Sequence, residues 1–480
     1  MKKAISNIVL ASVSALTLAA CMSVGPDYKA PATDSYTAHA IEIDDGAVPV
    51  ATEPAATWWT TLDDPVLNTL VERAFEGNRD LRVAAARVEA SRALLSLERV
   101  NQRPTGEVTA GYSRNRYDDV TSRGLDLPDT NLYAAGLSAG WELDFFGRVR
   151  RLTEAAAAEA SAATYLRRDA EALVAAETVS AYIDYRSALT RLHVAERNLE
   201  VQNETRSLTE TRLEEGVGSR LDVARAQAQA KTTEALIPPL QAARVAAENR
   251  LATLIGAPVS DVRTLLAEGG RLPTPPAALA IGDTASLLKR RADVRAAERS
   301  LAAATARIGV AKADYFPRIS LTGTVSTTAT AFSNVGEGGS FAFAAGPSLT
   351  WSGFDIPRVR ASIKVADANT DAAFATYEKT VLEALEETQT SLSAYGRERV
   401  RFEALRDAAA RAREAASIAR TRYDAGADDF IDVLDAESRQ LAAEASLAES
   451  QAAMAARYVG VYLALGAGWQ TTDEGDDRQG

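Results

Sequence analysis

The sequence predicts a mainly α-helical chain that carries a β-sheet portion and is built as an internal two-fold repeat. Three observations predict this. Two very long Ala-rich helical stretches run about 148–215 and 358–425. Two pairs of short segments alternate apolar and small or hydroxyl residues at a period of two. Residues 136–150 (GLSAGWELDFFGRVR) align with 346–360 (GPSLTWSGFDIPRVR) at an offset of 210, with six of 15 positions identical. At the same offset 211–229 matches 421–439 in six of 19 positions, including Gly216/Gly426 and Asp222-Val223/Asp432-Val433. Asp80-Leu81-Arg82 pairs with Asp293-Val294-Arg295, and Pro104 with Pro317, at an offset of 213. The halves therefore differ by three residues between Pro104 and Gly136, where a loop is expected. A period near 210 is too long for a solenoid and reads as a duplicated large unit.

The elements follow in order. Lys2 and Lys3 precede an apolar run from Ile8 to Ala20, the pattern of an export signal over 1–20. The run ends Leu18-Ala19-Ala20-Cys21, and Cys21 is the only cysteine of the 480-residue chain. No intrachain disulfide can form, and with only His39 and His193 no Cys/His zinc site can be assembled. The Leu-Ala-Ala-Cys end resembles a bacterial lipobox, in which cleavage exposes a cysteine that then receives lipid. The competing reading is a small-residue cleavage site ahead of a buried cysteine. Met22 rather than Asp follows, which in lipoproteins implies sorting to the outer membrane. Residues 21–57 then form a lipidated, extended N-terminal segment.

The first repeat spans 58–255, with a β-hairpin at about 105–143, and the second spans 286–466, with a hairpin at about 318–352. Each has a helix ending at a proline, two alternating segments, a very long helix, a glycine break and a returning helix. About 68 residues of helix span roughly 100 Å, so such a helix needs neighbours along its length, as coiled coils do. The competing reading is several shorter helices broken at unrecognised turns. Pro238 and Pro239 must interrupt the first returning helix, and the second has no such prolines. Between the repeats, 256–285 holds Gly256, Pro258, Gly269, Gly270, Pro273, Pro275 and Pro276, the punctuation of a linker. The tail, 467–480, is polar and acidic.

The strands carry the membrane argument. Val108, Ala110 and Tyr112 share a face, as do Tyr133, Ala135, Leu137, Ala139 and Trp141. In the second half Phe341, Phe343, Ala345, Pro347, Leu349 and Trp351 share one, and 319–326 alternates apolar residues with hydroxyls. Eight to eleven residues suffice for a tilted membrane-crossing strand. Trp141, Trp351, Phe341 and Tyr133 fall near strand ends, where interfacial aromatics belong. No apolar stretch after the signal reaches the roughly 18 residues of a transmembrane helix, so any crossing uses strands. Four strands cannot close a barrel, but three chains of four give twelve. A soluble four-stranded sheet with a greasy core face is the alternative.

Charge and motifs exclude other classes. Lys plus Arg is 53 against 65 Asp plus Glu, a net charge of −12 without a long basic run, which excludes a nucleic-acid partner. No GxxxxGK[ST], GxGxxG after a strand, HExxH or GxSxG occurs, so no enzyme class and no cofactor are indicated.

These residues resemble the TolC/OprM outer-membrane efflux channel family, in its lipoprotein branch. The likeness covers nearly the whole mature chain. It includes Val24-Gly25-Pro26-Asp27-Tyr28 after Cys21, Trp58-Trp59 with Asp64-Pro65-Val66-Leu67, and Asn78-Arg79-Asp80-Leu81 with Ala86-Arg87-Val88. It continues through Trp141-Glu142-Leu143-Asp144-Phe145-Phe146-Gly147, Thr421-Arg422-Tyr423 to Gly426, and Leu434-Asp435-Ala436. Arg290 to Glu298 resembles the family's RRPDVRAAE, with Ala292 in place of proline. The resemblance implies a homotrimer: a 12-stranded outer-membrane β-barrel, four strands per chain, continuous with a long periplasmic α-helical barrel that ends in an iris. It implies a lipid anchor in the outer membrane, a periplasmic adaptor and an inner-membrane RND-type transporter as partners, and export of small toxic compounds without bond chemistry.

Asp432 and Asp435 are i, i+3 on one predicted helix face, so three chains bring six carboxylates round one axis. Such a ring attracts cations and stores like-charge repulsion. By resemblance both match acidic rings at the family's closed tip, with Ile431 a candidate apolar ring beside them. Tyr423 matches a tyrosine whose hydroxyl locks the gate, and Asp222 matches its acceptor. Asp428 and Ser438 stand where TolC-like and OprM-like members have arginine, with Arg439 beside the second, so the basic side of the lock is unassigned. A plainer reading competes: Ser219 with Asp222, and Asp429 with Asp432, have the spacing of an N-cap and an acidic N3 residue. For Ile431 the plainer reading is packing between helices. Rival functions are a duct for type I protein secretion, a lipid-anchored coiled-coil adaptor, and a hydrolase using the two aspartates. The adaptor needs no membrane-length strands, and one short helix face offers no substrate cleft.

Overall fold

The computed structural model describes residues 23–32, 49–50, 52–116, 128–276 and 278–469. The signal segment, Cys21, His39 and the tail beyond 469 lie outside the described residues. In order the chain forms β1 (Pro49–Val50), a 3-10 turn at Trp58–Leu62, α1 (Pro65–Gly77), α2 (Arg79–Val100), β2 (Thr105–Asn115) and β3 (Thr130–Glu142). Then come α3 (Arg148–Glu214), α4 (Arg220–Glu234), α5 (Ile237–Ile255), α6 (Val259–Leu266), β4 (Leu279–Ala280) and α7 (Thr284–Arg290). The last elements are α8 (Ala292–Ala313), β5 (Arg318–Ala329), β6 (Phe341–Thr350), α9 (Ile356–Asp424) and α10 (Phe430–Ala464).

The long helices are continuous, with 67 residues in α3 and 69 in α9. The returning helix of the first half breaks between α4 and α5, where proline occupies the first turn of α5 and its missing N–H costs nothing. Without prolines, α10 runs unbroken for 35 residues. The stretch read as linker holds more than turns. Val262, Leu265 and Leu266 give α6 a buried face, and β4 pairs in parallel with β1.

Two compact units divide the chain. The first comprises Met1–Pro31, Arg87–Thr164 and Ala296–Glu378; the second comprises Ala32–Ala86, Tyr165–Arg295 and Lys379–Gly480. The first unit holds one four-stranded antiparallel sheet in the order β2-β3-β5-β6. Residues 23–31 pack there: Val24 N–H donates to the Phe146 carbonyl, Arg151 pairs with Asp27, and Tyr28 donates to Glu298. Each hairpin is tied at its base by an indole. Trp141 Nε1 donates to the Gln102 carbonyl at 3.0 Å, and Trp351 Nε1 to that of Tyr315 at 3.1 Å.

The core of the second unit is aromatic. Trp58 stacks on Tyr462 at 5.4 Å and meets Tyr458 edge-on, and α1 inserts Leu67, Leu70 and Val71 beneath them. The adjacent arginines are structural: Arg290 Nε donates to the Leu465 carbonyl and Arg291 Nη1 to that of Ala464, satisfying the end of α10. Asn78 Nδ2 does the same for α5 at the Leu254 carbonyl.

Candidate functional site

In the sheet, the register aligns Val108, Leu137, Val325 and Phe343 in one cross-strand row, and Trp141, Leu321 and Pro347 in another. These rows share a face whose large apolar side chains lie bare: Val108 is 79% and Phe343 85% exposed. The opposite face carries Thr109, Ser138, Thr322, Thr324, Ser326 and Ser348, with glycine and alanine between. Among the described residues nothing of this chain packs over that face as a core. The sheet's strands β2 and β6 are its edges. Tyr133 lies at the loop end, against Tyr112 at 4.9 Å and Phe332 at 5.7 Å, and Phe341 begins β6 beside it. Trp141 and Trp351 sit at the opposite, helix-proximal end. Eight residues separate Tyr133 from Trp141, about 27 Å along a strand and roughly 20 Å in height at a tilt of about 40°. That is somewhat less than the roughly 25 Å apolar band of an outer-membrane barrel.

The candidate gate residues lie in the second unit, on two helical hairpins. One joins α3 to α4 through Gly216, the other α9 to α10 through Gly426. Both glycines adopt φ values near +75°, at +78° and +73°. The turns close alike: Val217 N–H bonds the Arg212 carbonyl and Ala427 N–H that of Arg422, each at 2.9 Å. Ser219 caps α4 by accepting from Leu221 N–H, while the Asp222 carboxylate pairs with Arg225 at 4.0 Å. Asp429 occupies the cap of α10 without a side-chain bond to it, so N-capping does not account for that end.

The buried face of α10 begins Phe430, Val433 and Glu437; Ile431, Asp432 and Asp435 lie on its exposed face. Asp435 pairs with Arg439 at 2.8 Å. Asp428, which replaces an expected arginine, is held bidentately by Arg422, which keeps its carboxyl below the usual range. Tyr423 is buried against Phe430, and the Arg212 guanidinium lies 4.4 Å over its ring and bonds its carbonyl at 3.0 Å. Among the described residues no hydrogen bond joins Tyr423 to Asp222; Arg212 grips the tyrosine instead.

Sequence reasoning missed the carboxylates behind this tip. Glu444 is buried and receives Arg197 and Asn198 from α3 and Arg413 from α9. Burial raises its pKa, but the bonds from Asn198, Arg413 and Gln440 outweigh that and hold it below the usual range. Glu437 accepts from Thr205 at 2.8 Å, and burial pushes its pKa up. Among the described residues no group of three His, Cys, Asp or Glu is arranged to hold a metal ion, and no helix is long and apolar enough to cross a membrane.

A bare apolar sheet face, a hydroxyl-lined face behind it and two aromatic ends are the features of a membrane-facing sheet. The comparisons give the family. The model of the outer membrane efflux protein family matches residues 70–257 and 285–467, and the chain belongs to it. It is 33% identical to the outer membrane protein OprJ of Pseudomonas aeruginosa over 476 residues, covering 97% of this chain and 96% of that one. It is also 33% identical to the toluene efflux pump outer membrane protein TtgF of Pseudomonas putida over 419 residues, covering 86% and 85%. The solved outer-membrane channel OprN superposes with a TM-score of 0.84 at 41% identity, covering 94% of this chain and 100% of that one. The protein is thus an outer-membrane efflux protein, not an enzyme.

Proposed function

We propose that this protein is the outer-membrane exit duct of a tripartite efflux pump. Three copies close a twelve-stranded barrel, and their helices form a hollow barrel in the periplasm whose far end is an iris. The chain is a duplicated unit, a lipid on Cys21 anchors it, a periplasmic adaptor engages it, and an RND-type transporter feeds it small toxic compounds. The observation that carries this is the four-stranded sheet: an apolar face and open edges are untenable in lipid unless neighbouring copies complete the wall. The duplication is supported by indole bonds that recur at the base of both hairpins. Asp432 and Asp435, at the start of α10 on its exposed face, form the acidic constriction, with Ile431 beside them. Arg212 on Tyr423 takes the place of the tyrosine–aspartate lock.

The test is single-channel conductance of the purified protein in a planar bilayer, with selectivity from reversal potentials. Small, cation-selective steps that require the trimer are expected. Large steps without selectivity would remove the acidic gate and keep the channel. No conductance under any voltage, from wild type and from an Asp432→Asn, Asp435→Asn variant alike, removes the duct.

A further inference from the structure

The gate-bearing hairpin is held to its neighbour by a seam of an unusual kind. Along α3 the positions facing inward below residue 197 are Asn198, Gln202, Thr205, Thr209 and Arg212. Their spacing alternates four and three, the a/d repeat of a coiled coil. Such positions are normally apolar, and higher on α3 the inward residues are Val179, Tyr182, Ile183 and Ala195. In this stretch these five are polar and the first four are at most 5% exposed, while Leu208 beside them packs on the small apolar cluster of Tyr423, Phe430 and Val433. Opposite them α10 presents Glu437, Gln440 and Glu444.

The bonds across this seam are few and specific. Thr205 donates to Glu437, Asn198 and Arg197 donate to Glu444, and Arg420 of α9 reaches Thr205 and the Val201 carbonyl. Arg191 pairs with Glu449 at the upper end. Among the described residues, Gln202 Nε2, Gln202 Oε1 and Glu437 Oε2 are buried without a hydrogen-bond partner. A seam built this way is specific in register and weak in cohesion. Removing an unpartnered buried polar atom stabilises it, and removing a paired charge leaves its partners stranded.

We infer that this polar seam is the separable interface of the gate, with Glu444 the clasp that sets the resting position of the hairpin carrying Asp432 and Asp435. The inference rests on the channel reading above. Gln202, Glu437 and Glu444 are positioning residues and line no pore in this account. Gln202 holds the seam loosely because its amide is buried and unsatisfied. Glu444 holds it in register because it bonds both α3 and α9.

Opposite substitutions in one seam test this. Gln202→Leu should lower open probability about tenfold and raise the unfolding temperature. Glu444→Gln should raise open probability about tenfold, and Arg413→Gln in that background should add little further. A second measurement places cysteines at 205 and 437 and joins them with a short thiol-to-thiol cross-linker. Conductance should fall on cross-linking and stay unchanged in either single-cysteine variant. A wild-type trimer that conducts, with all these variants conducting alike, overturns the inference while the channel stands. A purely structural seam would shift unfolding temperatures without moving conductance, and that outcome also overturns it. A wild type silent in every condition removes the channel reading and this inference with it.

Discussion

Replacing Arg291 by alanine should loosen the end of α10 and leave its counterpart, α5, intact. Both helices stop at a left-handed glycine, Gly256 at φ +64° and Gly466 at φ +68°. Both carry a terminal carbonyl that a side chain from another helix start satisfies. For α10 that donor is Arg291, whose Nη1 lies 2.9 Å from the Ala464 oxygen. Its remaining nitrogens bond Asp293 and Glu387. A hydrogen bond from a charged group is worth about 1.5–3 kcal/mol, and the stranded carboxylates add to its loss. Two features reduce the sum. Thr388 Oγ1 still reaches the Ala464 oxygen at 3.2 Å, and Glu387 is 58% exposed and can rehydrate. About 2 kcal/mol of local opening energy remains, a factor of roughly 30 in amide exchange at the last turn of α10. Hydrogen exchange with mass spectrometry on the trimer reads this directly. Arg291→Lys should recover part of the protection, since it keeps the charge and loses the planar fork. Asn78→Ala should produce the mirror result, accelerating the end of α5 at Leu254 and the start of α2, whose Asp80 and Leu81 amides it also caps. Equal protection of the α10 end in wild type and Arg291→Ala would refute the capping argument.

Three further expectations are independent of that one. Burial, then the charge of Asp293, raises the pKa of Asp169 to about 6 against the opposing pull of Arg291. A carboxyl raised from 3.8 stabilises the fold in its protonated form, so its contribution is full at low pH and is lost as pH rises through about 6. Thermal unfolding between those limits should show the slope, and Asp169→Asn should flatten it. Asp432→Asn with Asp435→Asn should reduce cation preference in reversal-potential measurements while the trimer still assembles. Unchanged selectivity counts against the acidic ring. Cys21→Ser should abolish incorporation of labelled palmitate, and label persisting in that variant sinks the lipobox reading.

What the sequence made legible follows from what is local. Alanine-rich helical periodicity placed both long helices within two residues of their ends, because no tertiary contact competes with it. Period-two alternation placed the four strands, and Pro238 and Pro239 placed the break that α10 lacks. The misses are contacts between distant segments. Proline and glycine between the repeats masked α6, whose eight residues carry too little periodicity to stand out. Arg212 reaches Tyr423 across 211 residues, and no spacing rule anticipates that bond. The polar a/d positions of α3 read in isolation as a solvated face, since Asn, Gln and Thr are usually found there. Only burial reveals them as an interface. The basic partners sought at 428 and 438 were elsewhere: Arg422 holds Asp428, and Arg439, four residues on, holds Asp435.

On the proposed reading, α10 is a lever with unlike ends, and the energetics set where it moves. Its upper third buries Met454, Tyr458, Val459 and Tyr462 against Trp58 and Tyr395. Truncating any one of those large side chains would cost about 2–5 kcal/mol, so parting them all lies far beyond what a docking partner supplies. Below Ser450 the contacts are mostly polar: hydrogen bonds worth about 1 kcal/mol each net, more where Glu444 takes charged donors, and one small apolar cluster of Tyr423, Phe430 and Val433 at the tip. The seam therefore yields before the aromatic anchor does. A pull on the hairpin tip parts α10 from α3 first at the small Leu208, Phe430 and Val433 cluster, then at Glu437 and Glu444, and stops at the aromatic cluster. The helix stays attached, the acidic pair swings with its free end, and the same bonds in reverse return it to register.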